Sequence, residues 1–264
     1  MRSPLAFVLT LALALASGCS RSTAVATERP PAYEIDAALA APAPPISSAT
    51  ATASAVPPVP TVDPAGMYLG RKLAAPMSYL GADWLDRPNR DAVQRPEHVL
   101  DVLGVRAGQT VADVGCGSGY FTVHLAKRVG PRGRVFATDL QQEMLDLLAK
   151  KVAAQKLTNV TAERTTADDA ELPEGALDLA LLVDVYHELP NPSRTLAQIK
   201  RALAPNGRLA LVEYRGEDPK VDIKPEHKTT LIQLERELSA NAWSLVATDD
   251  SLPEQRIVVS RPSK

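Results

Sequence analysis

The sequence predicts an open α/β fold, in which a mostly parallel sheet of seven strands carries helices on both faces. Short apolar runs alternate along the chain with amphipathic helical stripes, as in parallel strands joined by crossover helices. The first clear strand breaks into a glycine loop that opens a helix, and two further strands close the chain. At 264 residues, 45% of them hydrophobic, the chain is long enough to build such a core.

Residues 111–121 are the centre of this prediction. Their apolar run carries one acid, Asp113, and is followed by Gly115, Gly117 and Gly119 at alternate positions. Glycine allows both a sharp turn and the close approach of a ligand to the main chain. The amphipathic pattern that follows predicts a helix whose first N–H groups suit a nucleotide or a carboxylate. The segment is therefore a strand, a glycine loop and a helix.

The other elements are predicted in order. An early helix is expected to open at Pro96 and to stop at Gly104. The remaining strands are predicted at residues 134–138, 160–165, 177–185, 208–214, 244–248 and 255–259. Helices with apolar stripes are predicted around residues 144–152, 192–203 and 231–238. Asn191 is expected to cap the middle one of these, and an Asn206–Gly207 turn to lead into the fifth strand.

Three segments are predicted along the chain. Residues 1–18 have a charged start, a short apolar run and small residues, which is typical of a secretory signal peptide and too short for a membrane span. Residues 19–64 are rich in Ala, Pro, Ser and Thr, which favours a disordered tether. Residues 65–264 are expected to form the globular domain.

The small residues directly before Cys19 resemble the lipobox of bacterial lipoproteins. This resemblance implies an exported protein, anchored by a lipidated Cys19 and facing the periplasm or the cell exterior. The alternatives are a plain secretory signal and a wrongly assigned start codon, and the second of these would make the protein cytoplasmic.

Charge and cysteine usage narrow the function classes. The net charge of −2 leaves no basic footprint for nucleic acid. Two cysteines, Cys19 and Cys116, provide neither a disulfide framework nor a paired metal-binding motif, and the four histidines are scattered. The spacing of these residues therefore predicts no metal site. The oligomeric state is left open.

Open α/β sheets bind ligands at the carboxyl ends of their strands. Asp139 ends the second strand, where a carboxylate can accept hydrogen bonds from both hydroxyls of a ribose, so an adenosine-type ligand is expected. A nicotinamide dehydrogenase would require the motif G-x-G-x-x-G. Here Tyr120 stands where the third glycine of that motif would be, and the spacing is G-x-G-x-G. A nicotinamide oxidoreductase is therefore disfavoured.

With these residues in place, the sequence resembles the class I S-adenosylmethionine-dependent methyltransferases, in the broad group that includes the ubiquinone-biosynthesis type. The resemblance covers residues 95–215 and rests on residues 113–119, on Asp139, on Asp168–Asp169 before Leu172–Pro173, and on residues 203–209. It implies a Rossmann-like sheet, S-adenosyl-L-methionine as the cofactor and a small-molecule methyl acceptor.

The resemblance also implies roles for individual residues. The glycine loop would lie close to the methionine part of the cofactor, and Asp113 would lie near the amino group of that part. Asp168–Asp169 would lie near the adenine. Cys116 is interpreted as packing rather than as a nucleophile. The cofactor-binding set is implied to be Asp113, Gly115, Cys116, Gly117, Gly119, Asp139, Leu140, Asp168, Asp169 and Asp184.

His187 and Glu188 are the predicted catalytic residues, because they follow the fourth strand where the transferable methyl group would face. Histidine titrates near neutrality and suits proton removal from an acceptor. Glu213, Tyr214 and His227 are further candidate bases, and His187 could equally shape the pocket without moving a proton. A second hypothesis is a membrane-tethered module that keeps the fold but performs no chemistry, since the supply of the cofactor outside the cytoplasm is not assured.

Overall fold

The computed structural model describes residues 59–167 and 169–264. The predicted signal peptide, Cys19, most of the predicted tether and Asp168 lie outside the described residues. Pro60, which we assigned to the end of the tether, contacts the domain, because its carbonyl accepts a hydrogen bond from Ser193 Oγ at 2.6 Å. Within the described part of the chain, no helix combines the length and the apolar character needed to cross a bilayer.

Sixteen strands and α-helices form this part of the chain, joined in places by single 3₁₀ turns at Tyr79–Gly81, Tyr186–Glu188 and Pro225–His227. In chain order they are β1 (Met67–Tyr68), β2 (Arg71–Lys72), α1 (Ala82–Leu85), α2 (Arg90–Gln94), α3 (Pro96–Val102), β3 (Thr110–Val114), α4 (Tyr120–Val129), β4 (Arg134–Asp139), α5 (Gln142–Ala154), β5 (Val160–Arg164), β6 (Leu177–Val183), α6 (Pro192–Ala202), β7 (Leu203–Tyr214), α7 (Leu231–Ala240), β8 (Trp243–Asp249) and β9 (Gln255–Pro262).

The main sheet confirms the predicted fold class. Its strand order is β5-β4-β3-β6-β7-β9-β8, and the first five strands in this order are parallel. The last strand of the chain, β9, pairs antiparallel with both β7 and β8. The chain runs from β3 through β4 to β5 on one side and then returns to β6 on the other side of β3, so the sheet has a switch point there. A crevice at the carboxyl end of β3 is the expected ligand site.

The sheet has an apolar layer on each face, as parallel strands buried on both sides require. On one face, Leu100 of α3 and Leu125 of α4 belong to the buried cluster. On the other, Leu196 of α6 and Leu234 of α7 do so. Each fully buried leucine contributes about 1.5–3 kcal/mol of transfer free energy. The sheet edge that carries the ligand site is therefore held from both faces.

Two local predictions have different outcomes. The cap of α6 is confirmed, because the Asn191 side chain accepts a hydrogen bond from the backbone N–H of Arg194. The predicted start of the fifth strand is wrong, since β7 begins at Leu203 and not at Arg208. The pairing with β6 jumps from Leu177–Leu203 to Leu179–Arg208, so the residues between form a bulge rather than a separate turn.

Candidate active site

A cavity of about 920 Å³ opens at the carboxyl ends of β3, β4, β6 and β7. This is the edge of the sheet where the switch point predicts a ligand. The cavity brings together most of the residues selected from the sequence. Those that line it are Asp113, Gly115, Cys116, Gly117, Asp139, Leu140, Asp184, His187 and Glu188.

Asp139 is the last residue of β4 and keeps hydrogen-bonding capacity toward the cavity. Its Oδ2 accepts the backbone N–H of Gly117 at 2.9 Å, and its Oδ1 accepts that of Gln141 at 2.9 Å. A carboxylate has about four acceptor positions. The side chain therefore keeps acceptor capacity for a ligand hydroxyl. Burial raises the pKa of Asp139, and the backbone donors oppose this shift.

The glycine loop turns under β4 and has two different functions. Gly115 and Gly117 line the cavity, whereas Gly119 is not among its lining residues. Gly119 begins α4 with φ of 86°, and a Cβ there would lie 2.3 Å from Leu148 Cδ1. Gly119 therefore allows α5 to pack closely against the loop. Cys116 is buried, and desolvation raises the pKa of its thiol well above the usual value, so it remains a protonated packing residue.

Asp113 lies in β3 beneath the glycine loop and is buried. Thr122 Oγ1 donates a hydrogen bond to its Oδ2 at 2.6 Å. Burial raises the pKa of Asp113 to about 6, an effect that the Thr122 hydrogen bond and the Arg90 guanidinium oppose. A buried carboxylate without an ion-pair partner in contact suits a cationic group of a ligand.

Asp184 follows β6 and is held by two amides that the sequence analysis missed. Gln94 Nε2 donates to its Oδ2 and Gln255 Nε2 to its Oδ1, each at 2.6 Å. Its backbone has a φ of 56°, a left-handed conformation that a non-glycine residue adopts at some cost. Burial, with repulsion from Glu213, raises the pKa of Asp184 to about 7. This side chain fixes the cavity wall through the two glutamines.

The region implied to contact adenine lies after β5. Asp168 is outside the described residues. Asp169 is exposed and does not line the cavity; its Oδ1 accepts the backbone N–H of Glu171. The wall there is instead formed by Thr165, Thr166, Ala167 and Ala170.

His187 and Glu188 form one corner of the cavity lining, with two partners from distant segments. His187 Nδ1 lies 2.6 Å from Glu213 Oε2, and both side chains are almost completely buried. His187 Nε2 lies 3.0 Å from His227 Nδ1. Glu188 Oε1 is 3.7 Å from His187 Nε2 and 3.4 Å from His227 Nδ1.

The electrostatics of this corner follow from its acids. Burial alone would lower the pKa of His187, but the carboxylates of Glu213, Asp184 and Glu188 together raise this pKa above its ordinary value. Burial raises the pKa of Glu188. Burial and the neighbouring His187 lower the pKa of His227. Because a carboxylate accepts hydrogen bonds, His187 Nδ1 donates to Glu213, and its Nε2 points to His227 Nδ1.

Sequence reasoning missed three contributions to this site. Gln94, Gln255 and Arg71 reach it from α2, β9 and β2, and Arg71 Nη1 donates to the carbonyl of His187 at 3.2 Å. These residues belong to no recognisable motif. No signal within the sequence links them to the site, because only the folded chain brings them there.

The fold and the site are similar to those of one class of proteins. The sheet resembles the Rossmann-like sheet of S-adenosylmethionine-dependent methyltransferases, and a family model described as "Methyltransferase domain" matches residues 111–207. This segment runs from β3 into β7 and contains the glycine loop, Asp139 and His187.

Individual proteins agree with this class. A solved S-adenosylmethionine-dependent methyltransferase from Aquifex aeolicus is 28% identical, with a TM-score of 0.67 over 70% of this chain and 98% of that one. The demethylmenaquinone methyltransferase of Lactobacillus johnsonii is 34% identical over 42% of this chain and 46% of its own length. The ubiquinone/menaquinone biosynthesis C-methyltransferase UbiE of a Marinomonas species is 31% identical over 44% of this chain and 47% of its own length. The chain thus spans about half the length of these two curated relatives.

The matches imply S-adenosyl-L-methionine as the cofactor, and the residues present fit it. Asp139 lines the cavity at the end of β4 and is an acceptor-only group when ionised, as the hydroxyls of a ribose require. The buried Asp113 is suited to an ammonium group. Gly115 and Gly117 both line the cavity, and a residue without a side chain lets a ligand come close to the main chain.

Proposed function

We propose that the domain transfers a methyl group from S-adenosyl-L-methionine to a small-molecule acceptor. The observation that carries the proposal is one continuous cavity that is lined both by Asp139 and by the His187–Glu188 corner. The first side suits an adenosine-type cofactor, and the second offers groups that act on protons. Methyl transfer requires both in one enclosure, because the acceptor must approach the methyl group in line.

Each part of the cavity has a proposed role in holding the cofactor. Asp139 would accept the ribose hydroxyls, and Asp113 would lie near the amino group. Leu140 and the wall formed by residues 165–167 would face the adenine. Gly115 and Gly117, which line the cavity, would lie beside the methionine part of the cofactor. The cofactor, when bound, supplies the electrophilic methyl group.

His187 and Glu188 are proposed to contact the acceptor. Glu213 holds the His187 ring by its Nδ1 and so fixes the orientation of Nε2, and His187 is one of the residues that line the cavity. The backbone N–H of Met77 donates to Glu188 Oε2 at 3.2 Å, which leaves Oε1 for the cavity. Both side chains are thus oriented before an acceptor arrives, which reduces the entropy lost on binding.

A calorimetric titration of S-adenosyl-L-methionine into the full chain tests the proposal. Asp139→Ala should weaken binding by about 1–3 kcal/mol, or roughly 5–150-fold, because the ribose hydroxyls lose their acceptor. Asp146→Ala is the matched control, since this exposed acid lies on α5 away from the cavity lining. If the unsubstituted chain does not bind the cofactor, the proposal is wrong. A screen of methyl acceptors then separates an enzyme from a binding module.

We also propose that the protein is exported and anchored through a lipidated Cys19, with the domain outside the cytoplasm. The support is the charged, apolar and small-residue order of residues 1–18. Cys19→Ser should move the protein from the membrane fraction to the soluble fraction. Unchanged fractionation would contradict the lipid anchor.

A further inference from the structure

Removal of a proton during methyl transfer would need one basic side chain. The corner of the cavity described above contains four titratable side chains, namely His187, Glu188, Glu213 and His227. His187 Nε2, His227 Nδ1 and Glu188 Oε1 lie within 4.8 Å of one another. From these three donor atoms we infer a binding site for a divalent transition-metal ion, with Zn²⁺ as the best fit. Spacing along the sequence gives no indication of it, because His187 and His227 lie on separate turns far apart in the chain.

The distances between the donor atoms match a tetrahedral site. The three pairs are 3.0, 3.4 and 3.7 Å apart. Bonds of about 2.0–2.1 Å to Zn²⁺ place tetrahedral ligand atoms about 3.3 Å from one another. The three atoms therefore already occupy three corners of such a tetrahedron. A pair of imidazoles with one carboxylate is also a donor set that Zn²⁺ and Fe²⁺ accept.

A second layer of contacts orients two of the three donors. Glu213 Oε2 accepts the Nδ1 proton of His187, while Glu213 Oε1 accepts the backbone N–H of Tyr186 at 2.9 Å. This carboxylate–histidine pairing fixes the tautomer that offers Nε2 as a ligand. The Met77 N–H holds the other oxygen of Glu188, so Oε1 is turned toward the cluster. The orientation is thus built from groups that would not bind the ion themselves.

The charge of the corner also suits a cation. Glu213 and Glu188 are both largely buried, and the ring nitrogens of His187 and His227 that face each other lie only 3.0 Å apart, close enough to bind one ion together. An ion there would satisfy both nitrogens at once. It would also tie the turn Pro225–His227 to the turn Tyr186–Glu188.

All three donors line the cavity, so the remaining coordination position would face it. The consequence for catalysis rests on the proposed function: the ion would hold an oxygen-bearing acceptor, such as a phenol or an enol, and would ease loss of its proton. In the metal-bound protein His187 is then a ligand rather than a proton acceptor.

The test is calorimetric titration of ZnCl₂ into the full chain after chelator treatment. We expect one strong site per chain. His227→Ala should weaken it by roughly 100-fold or more, because His227 supplies one of only three ligands and its turn is partly exposed. His98→Ala is the matched control and should bind as the unsubstituted chain does, since His98 bonds Ser251 away from the cavity lining. Equal binding by His227→Ala, or no strong site, would overturn the inference.

Two further measurements distinguish this site from others. Glu213→Gln should weaken Zn²⁺ binding by roughly 10–100-fold, as expected for a residue that orients a ligand. Co²⁺ bound in place of Zn²⁺ should show visible ligand-field bands without a thiolate charge-transfer band. A thiolate band would place the ion on a cysteine and would contradict the inference. The zinc and cofactor titrations are independent, so failure of one leaves the other informative.

Discussion

Asp113→Asn should make the domain more stable near neutral pH while weakening cofactor binding. Burial raises the pKa of Asp113 from an ordinary 3.8 to about 6. The folded state therefore holds the proton more tightly than the unfolded state does. Stability from this group is fully present below pH 3.8 and is lost as the pH rises through about 6. The difference between these pKa values corresponds to about 3 kcal/mol at pH 8.

The asparagine side chain does not ionise, so the variant avoids this loss. It also keeps an oxygen that can accept the hydrogen bond of Thr122. We expect the free energy of unfolding at pH 8 to exceed that of the unsubstituted chain by up to about 3 kcal/mol, and the gain to disappear near pH 4.

Urea denaturation of both chains at pH 4 and pH 8, without cofactor, measures this difference. Asp146→Asn, on the exposed side of α5, is the control for simple removal of a charge. A variant no more stable than the unsubstituted chain at pH 8, or a difference independent of pH, would refute the assigned cost of burying Asp113.

Three further predictions concern the same domain. Cofactor affinity should fall as the pH drops below about 6, because protonated Asp113 no longer attracts the amino group; calorimetry at pH 5.5 and 7.5 would contradict this if the affinities were equal. Arg71→Ala should lower the free energy of unfolding, measured by urea denaturation, by about 3–5 kcal/mol, because it leaves Glu237 buried without its bidentate partner. Replacing both residues, Arg71→Leu with Glu237→Leu, should recover much of this loss. Gly119→Ala should lower the melting temperature by several degrees, since its Cβ meets Leu148 at a positive φ; an unchanged value would contradict that packing.

Much of the fold was predictable because its signals are local. The apolar run of β6 is buried along almost its whole length, and such a run indicates a central parallel strand without any knowledge of its neighbours. The same holds for the Asn191 cap, which acts within one helical turn. Asp139 was placed correctly at a strand end by its position after an apolar run.

Local signals were insufficient where pairing partners decide the structure. The strand β7 extends back to Leu203 through a bulge, although the Asn206–Gly207 pair alone favours a turn. Gly119 has the same spacing as Gly115, yet it packs against a helix instead of lining the cavity. In both cases a neighbouring element determines the role of the residue.

The sequence by itself determined the class of fold, the glycine loop and the acid at the end of β4, because these depend on periodicity and on short motifs. Only the tertiary structure decided what surrounds them. It brings the amides of Gln94 and Gln255 onto Asp184. It also brings His227 onto His187 and so creates a set of ligands where spacing along the chain predicted none. The physical reason is that electrostatic and coordination contacts depend on distance in space, which a parallel sheet sets by strand order and not by sequence separation.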